Sequence, residues 1–346
     1  MSRTCLVAAL AALAAILAVS TVRSSSPAVT EAILQEARPA GWLVIVGGGR
    51  RPPAMMDRLV ARAGSDTARF VVIPNASSDP QEVGTDQAGQ LMEHGAAEAR
   101  VLFFEREGAD DPANLEAVRS ATGIFFSGGA QRRLADALIG TTLLEEIRRL
   151  YARGGTVAGT SAGAAVMSPL MITGDEAKVD PERDEPFARI VTRNVVIRDG
   201  FDLLPGTIID QHFVRRKRLN RLISLVLERP DLVGIGIDES SAVEVRPGGR
   251  TFEVIGQGQV IVFDARQGQT GTAEELLAAR GVTMHVLVPG DVFDLDAGVV
   301  VTPAPLTEPE PPARPAEPPG GSARPDHRDC LEAAVCSEGR EPVTRP

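Results

Sequence analysis

Val157-Ala158-Gly159-Thr160-Ser161-Ala162-Gly163-Ala164-Ala165-Val166 is an apolar run that breaks into a Gly-Thr-Ser-Ala-Gly turn and resumes as small, helix-compatible residues. It reads as a nucleophile elbow. A serine hydroxyl is presented for attack at a sharp strand-to-helix turn, and glycines two before and two after let the backbones pass closely. Ser161 meets that requirement, and the amide of Ala162 points toward any oxyanion that develops there. The structural alternative is a glycine-rich turn with no chemistry.

An elbow of this kind needs a sheet. Trp42-Leu43-Val44-Ile45-Val46 is a continuous apolar run that ends in Gly47-Gly48-Gly49, as expected of a buried parallel strand entering a tight loop. The signal recurs at 70–74, 100–104 and 123–126, with helix-length segments between. Such alternation predicts an α/β protein whose parallel sheet is covered on both faces, with ligands at the C-terminal strand ends. One helix is expected over Arg132–Arg153, stopped by Gly154-Gly155. Short β segments follow at 241–246, 251–255 and 259–263, and a last strand at 284–288 is expected to complete the body. No G-x-G-x-x-G or G-K-[ST] string follows Val46, so nucleotide binding has no motif behind it.

The two ends differ from the body. Arg3 precedes fifteen apolar residues, Cys5 to Val19, and Ala18-Val19-Ser20 offers a small-residue cleavage site. The run is short for a membrane span and suits a signal peptide over 1–20, so the protein is expected to be exported, periplasmic or extracellular. An uncleaved anchor is the alternative. Residues 21–40 form a lead-in, 41–302 the catalytic body, and 303–346 a Pro-rich tail expected to be disordered. In that tail Cys330 and Cys336 are able to close a small disulfide loop in an oxidising compartment. The chain has 346 residues, 43% of them hydrophobic, and a net charge of −10, which suits a large core and disfavours general nucleic-acid binding.

Gly128, Gly129 and Gln131 follow a buried strand on the expected edge of the elbow, where a glycine amide is placed as a second oxyanion donor or simply makes a turn. Among the histidines, His94 lies in a helical segment, His285 inside a late strand and His327 in the tail. Only His212 ends a strand, and beside a candidate nucleophile it becomes a candidate base. Arg215, Arg216, Lys217, Arg218 and Arg221 then make a local positive field. Arg218 and Arg221, three apart, would share a helix face, while 213–217 reads as a turn that fans guanidiniums around the site. Arginine forks suit carboxylates, although an exposed basic face is the alternative. Glu239 ends the apolar strand beginning at Leu232 and is placed to orient an imidazole.

Taken together, Gly-Gly-Ala-Gln131, Gly-Thr-Ser161-Ala-Gly, Asp210-Gln-His212-Phe, the Arg216, Arg218, Arg221 spacing, Gly-Ile-Asp-Glu239 and Ile-Gly-Gln-Gly258 resemble the cyanophycinases, serine peptidases related to aspartyl dipeptidase. The resemblance covers about residues 42–300. It implies a three-layer, doubly wound, mostly parallel sheet of the class I glutamine amidotransferase kind with a small antiparallel extension. It also implies Ser161 as nucleophile, His212 as general base and Glu239 as the acid. Gly129 and Ala162 would supply the oxyanion hole, and Gln131, Asp210, Gln211, Arg216, Arg218 and Arg221 would grip β-linked aspartyl-arginine units. Neither metal nor cofactor is called for, and a homodimer is an open expectation. Ala130 departs from the family, which often carries Asp there.

Four rivals remain. Glu176 or Asp180, in the acidic loop after the elbow, competes with Glu239 for the third position. A conventional α/β-hydrolase esterase runs Ser, acid, His and would need His285 as its base. An exported binding protein, or an isoaspartyl dipeptidase of the same family, would keep the arginine pocket for other ends.

Overall fold

The computed structural model describes residues 38–179 and 185–307. The expected signal peptide, Asp180, Cys330, Cys336, His327 and the tail from 308 lie outside the described residues. The first half alternates as its pattern predicts, through β1 (Trp42–Val46), α1 (Pro53–Arg62), β2 (Arg69–Ile73), α2 (Pro80–Glu93), β3 (Glu98–Val101), α3 (Pro112–Ser120) and β4 (Gly123–Phe126). It continues with α4 (Gln131–Leu138), α5 (Thr142–Ala152), β5 (Thr156–Thr160) and the four-residue α6 (Ala162–Ala165). The helix expected over 132–153 is therefore two. Gly140 takes a φ of 78°, and the Thr141 side chain accepts the Leu144 amide at 3.2 Å to cap a fresh start. The third strand also ends earlier than expected, at Val101, and leaves Phe103 and Phe104 in the loop beyond it.

The second half is richer in strands: β6 (Leu170–Glu176), β7 (Val195–Asp199), β8 (Thr207–Gln211), α7 (Leu219–Glu228), β9 (Val233–Ile237), β10 (Ser241–Val245), β11 (Thr251–Gly256) and β12 (Val260–Asp264). There follow β13 (Gln269–Ala273), β14 (Leu276–Arg280), β15 (Thr283–Leu287), β16 (Val292–Asp294) and β17 (Val299–Thr302). The strand at 283–287 is thus not the last of the body.

The fold is mixed α/β, but the single mostly parallel sheet divides. A nine-stranded ladder runs β17-β16-β11-β10-β1-β5-β4-β2-β3, and a six-stranded one runs β15-β12-β9-β8-β6-β7. Parallel pairing is confined to β1 through β5 in the first and to β6, β8 and β9 in the second, and antiparallel strands extend both. The chain crosses from the first ladder to the second between β5 and β6 and returns after β9 through a connection too short for a crossover helix. Only Asp238, Glu239 and Ser240 separate β9 from β10, so the chain steps from one ladder to the other and pairs β10 antiparallel to β1.

Side-chain alternation explains the layering. Along β1, Leu43 and Ile45 face one core with α3 to α6 and the inner residues of the six-stranded sheet, such as Ile209, Ile235 and Ile237. Val44 and Val46 face the other way, onto Met55, Met56, Leu59 and Val60 of α1 and Leu91 of α2. A third cluster joins the outer face of the second sheet to Leu222, Leu225 and Val226 of α7. Register then brings strand ends together: Val46 pairs with both Thr160 and Ala242, and Gln211 pairs with Ile237.

Candidate active site

Ser161 follows β5 with φ 54° and ψ −107°, a region that L-residues rarely occupy and that nucleophile elbows hold under strain. Its surroundings hold it there. The Ser161 amide donates to the Val46 carbonyl at 3.0 Å, while its own carbonyl accepts from Ala164 and Ala165, each at 3.0 Å. The flanking glycines are required sterically. A Cβ on Gly159 would sit 2.5 Å from the Gly163 carbonyl oxygen, and one on Gly163 would sit 2.5 Å from that of Phe126.

His212 leaves β8 with φ 49°, and its amide donates to the Gly47 carbonyl at 2.7 Å. The imidazole reaches back to the elbow: Nε2 lies 2.8 Å from Ser161 Oγ, and Nδ1 lies 2.6 Å from Glu239 Oε1. Ser161 and His212 do not share a sheet edge, as the sequence reading expected, since β5 and β8 belong to different ladders. Facing strand tips of two sheets bring them together instead. Glu239 occupies the three-residue step between the ladders, and its backbone is fixed where the Ser240 amide donates to the Gly48 carbonyl at 2.9 Å.

Burial is the strongest influence on the His212 pKa and lowers it, with Arg216 and Arg218 acting in the same direction; the Glu239 contact opposes them and loses. Glu239 is itself held below the usual carboxylate range, first by its hydrogen bond to His212. The imidazole side chain is 9% exposed and the carboxylate 33%. A neutral ring beside an ionised acid is the arrangement in which Nδ1–H donates to Glu239 and Nε2 is left to accept the serine proton.

The rivals are placed elsewhere. Glu176 Oε1 accepts from Asn194 Nδ2 at 2.7 Å, at the far end of β6. His285 Nε2 donates to the Gly298 carbonyl at 3.1 Å and sets its ring edge-on to Phe293, so the esterase order loses its base. His94 pairs with Asp57 at 2.7 Å.

The expected substrate grip is only partly open. Arg221 forms a fork on Asp210, Nε to Oδ2 at 2.6 Å and Nη2 to Oδ1 at 2.5 Å, with side chains 4% and 1% exposed. These two residues satisfy each other in the interior and are corrected from direct contacts to a brace behind the site. Arg218 precedes α7 as its cap rather than sharing a helical face with Arg221; its Nη1 donates to the Gln211 carbonyl at 2.7 Å. Burial, followed by the charge of Arg221, pushes its pKa down to about 10. Residues 213–217 do form the expected turn, tied by Arg215 N to Asp238 Oδ1 at 2.9 Å, and Arg216 is exposed on it. Gln131 Nε2 donates to the Ile172 and Thr173 carbonyls at 2.9 and 3.2 Å. Gln211 keeps a buried Oε1 without a protein partner among the described residues.

The Gly47–Gly49 loop carries a role the sequence reading did not give it. A Cβ on Gly48 would lie 2.3 Å from His212 Cε1, and one on Gly49 would lie 2.9 Å from Glu239 Cβ. The signal was a third glycine cluster at the tip of the central strand. At Gly128, a Cβ would lie 3.4 Å from that of Ser161, and at Gly129, with φ 136°, one would lie 2.1 Å from the Ala76 carbonyl oxygen.

The model of peptidase family S51 matches residues 43–253. The cyanophycinase of Trichormus variabilis is 37% identical over 244 residues, 68% of this chain and 78% of that protein. That of Synechococcus elongatus is 33% identical over 265 residues, 74% and 79% of the two chains. Among solved structures, a peptidase from an acI-B1 Actinobacterium aligns with a TM-score of 0.56 at 25% identity, over 74% of this chain and 98% of that one.

Proposed function

The chain belongs to peptidase family S51 and is a serine-type peptidase, and from that premise we propose that it hydrolyses a cyanophycin-like polymer, multi-L-arginyl-poly-L-aspartate, to β-Asp-Arg dipeptides. Ser161 is the nucleophile in this reading, His212 the general base and Glu239 the acid that orients it. The observation that carries it is the continuous line from Ser161 Oγ to His212 at 2.8 Å and on to Glu239 at 2.6 Å. The relatives' names direct the choice of substrate.

Ser161 Oγ attacks the scissile carbonyl carbon as His212 Nε2 takes its proton. The C–N bond then breaks, and the imidazolium returns that proton to the leaving amine. Water, deprotonated by the same imidazole, attacks the acyl carbon and releases the acid, and Ser161 regains its hydrogen. Amides at Gly129 and Ala162 supply the oxyanion donors. General-base assistance is worth about 10²- to 10⁴-fold and a single oxyanion donor about 10²- to 10³-fold. Gln131, Gln211, Arg216 and Arg218 receive the substrate's carboxylate and guanidinium groups, with Asp210, itself fixed by Arg221, holding Arg218 from behind. Export through residues 1–20 completes the reading and places the enzyme outside the cytoplasm.

The test is incubation of the purified protein with insoluble cyanophycin and identification of what is released. β-Asp-Arg dipeptides from the wild type, and none from folded Ser161→Ala, are expected. Release of α-linked fragments only, or undiminished release by Ser161→Ala, overturns the proposal. A fluorophosphonate probe that labels wild type but not Ser161→Ala separates a peptidase from an exported binding protein.

A further inference from the structure

The step from β9 to β10 carries a second carboxylate beside the one that meets the imidazole. Asp238, its first residue, accepts the Arg215 amide on Oδ1 at 2.9 Å, while Glu239 takes His212 Nδ1 at 2.6 Å. The Asp238 contact reaches the middle of the 213–217 turn. At its ends the turn is closed by its own backbone, with the Arg216 amide donating to the His212 carbonyl and the Arg218 amide to the Phe213 carbonyl, each at 2.9 Å. Val214, Arg215, Arg216 and Lys217 between them are exposed, and Lys217 takes a φ of 52° to complete the bend. Among the described residues the Arg215 amide has one acceptor, the Asp238 carboxylate. An ionised acceptor makes this about twice as strong as a neutral hydrogen bond.

The mount of that carboxylate is rigid. The Asp238 amide donates to the Gln259 carbonyl at 3.1 Å, and a Cβ on Gly47 would stand 2.2 Å from the Asp238 carbonyl oxygen. Behind the step runs the Gly256-Gln257-Gly258 segment: the Gln257 amide donates to the Ser240 carbonyl at 2.9 Å, and a Cβ on Gly258 would stand 2.9 Å from the Glu239 carbonyl oxygen. That close approach gives the Ile-Gly-Gln-Gly258 string its use. Charge then ties the turn to the chemistry. Arg216, next after Arg215, lowers the pKa of both His212 and Glu239, so its guanidinium lies within electrostatic reach of the triad. Arg218 is held separately, by the Gln211 carbonyl and by Asp210.

We infer that Asp238 is a positioning residue: by holding the Arg215 amide it fixes where the Arg216 guanidinium meets a substrate carboxylate. The inference rests on the role that the polymer reading above gives to Arg216, and adds the group that aims it. One three-residue step then sets both the proton line, through Glu239, and the substrate grip, through Asp238, so a carboxylate gripped at Arg216 is presented at a fixed distance from Ser161.

The experiment measures kcat and KM on a synthetic β-Asp-Arg oligomer of four units. It compares the wild type with Asp238→Ala, Asp238→Asn, Arg216→Ala and the Asp238→Ala/Arg216→Ala double variant. Asp238 is only partly buried, so truncating it strands no charge in the interior, and thermal unfolding checks that the fold is kept. Asp238→Ala is expected to raise KM about tenfold with kcat within about threefold of wild type. Asp238→Asn, whose amide oxygen still accepts from Arg215, is expected to recover most of that loss. The double variant is expected to be no worse than Arg216→Ala alone, because Asp238 acts through that arginine. Additive losses in the double variant, a fall in kcat without a rise in KM, or an asparagine variant no better than alanine overturns the positioning role while the peptidase reading stands. A wild type that leaves the oligomer intact overturns the polymer reading and the inference with it.

Discussion

The amide of His212 donates to the carbonyl of Gly47 at 2.7 Å, fastening the imidazole-bearing residue of one β-ladder to the loop that leaves the central strand of the other. The placement of the ring is therefore set by the Gly47–Gly49 loop as much as by β8.

Gly48→Ala tests this directly. At φ 110° an added Cβ would stand 2.3 Å from His212 Cε1, so either the loop or the ring must move. A displacement of about 1 Å in a catalytic group costs on the order of 10²-fold. A fall of that size in kcat/KM is expected with the circular dichroism spectrum retained; near-wild-type turnover would show that the loop does not position the ring.

Glu239 and Glu176 separate by substitution to glutamine. Glu239→Gln removes the carboxylate charge at His212 Nδ1 and offers an amide N–H that favours the wrong ring tautomer, and is expected to lower kcat by about 10²- to 10⁴-fold. Glu176→Gln alters the contact to Asn194, its side-chain partner among the described residues, and is expected to stay within a few-fold of wild type. The reverse ranking in steady-state assays would move the acid role to the far end of β6.

The pH profile follows from burial. Because the folded-state pKa of His212 is lowered from 6.5, its neutral, basic form persists further into acid, and the acidic limb of kcat/KM is expected below pH 6.5. Arg216→Ala removes a charge that lowers this pKa and should move the limb upward. The same depression links to stability: the unfolded chain takes up the proton first, so the contribution is present above about pH 6.5 and is lost as pH falls through the folded value. A limb at or above 6.5 in the wild type contradicts the assignment.

Asp210→Ala leaves Arg221 buried without its partner, a loss of about 3–5 kcal/mol for a broken interior pair. Lys217→Ala, on a side chain 82% exposed, is expected to change stability by less than about 0.5 kcal/mol. Denaturant midpoints for the two variants check the contrast, and equal midpoints would mean that the fork carries no weight.

The alternating first half was legible because β1, β2 and β4 are buried on both faces and read as uninterrupted apolar runs between helices. The break between α4 and α5 was also written in the chain, as Gly140 followed by a capping Thr141, but leucine spacing on either side masked it. The β13–β14 hairpin was not legible: Ala273 to Arg280 is rich in helix-forming Ala, Glu and Leu, yet pairs as strands that set Leu277 and Ala279 against α7. At the site, Ser161, His212 and Glu239 could be singled out because each falls at or just past the end of an apolar strand run. Asp210 and Arg221 were misread because spacing tells which side chains share a face and not that a strand residue turns inward to consume an arginine. The two-ladder division depends on pairing between distant segments, which local pattern does not encode.

Only Asp238, Glu239 and Ser240 join β9 to β10. So short a tether cannot absorb any parting of the two sheets, and any opening that separates them draws the carboxylate, the ring and the hydroxyl apart at once. Inactivation by heat or urea and global melting should therefore be a single event, recorded once by an assay and once by a spectrometer.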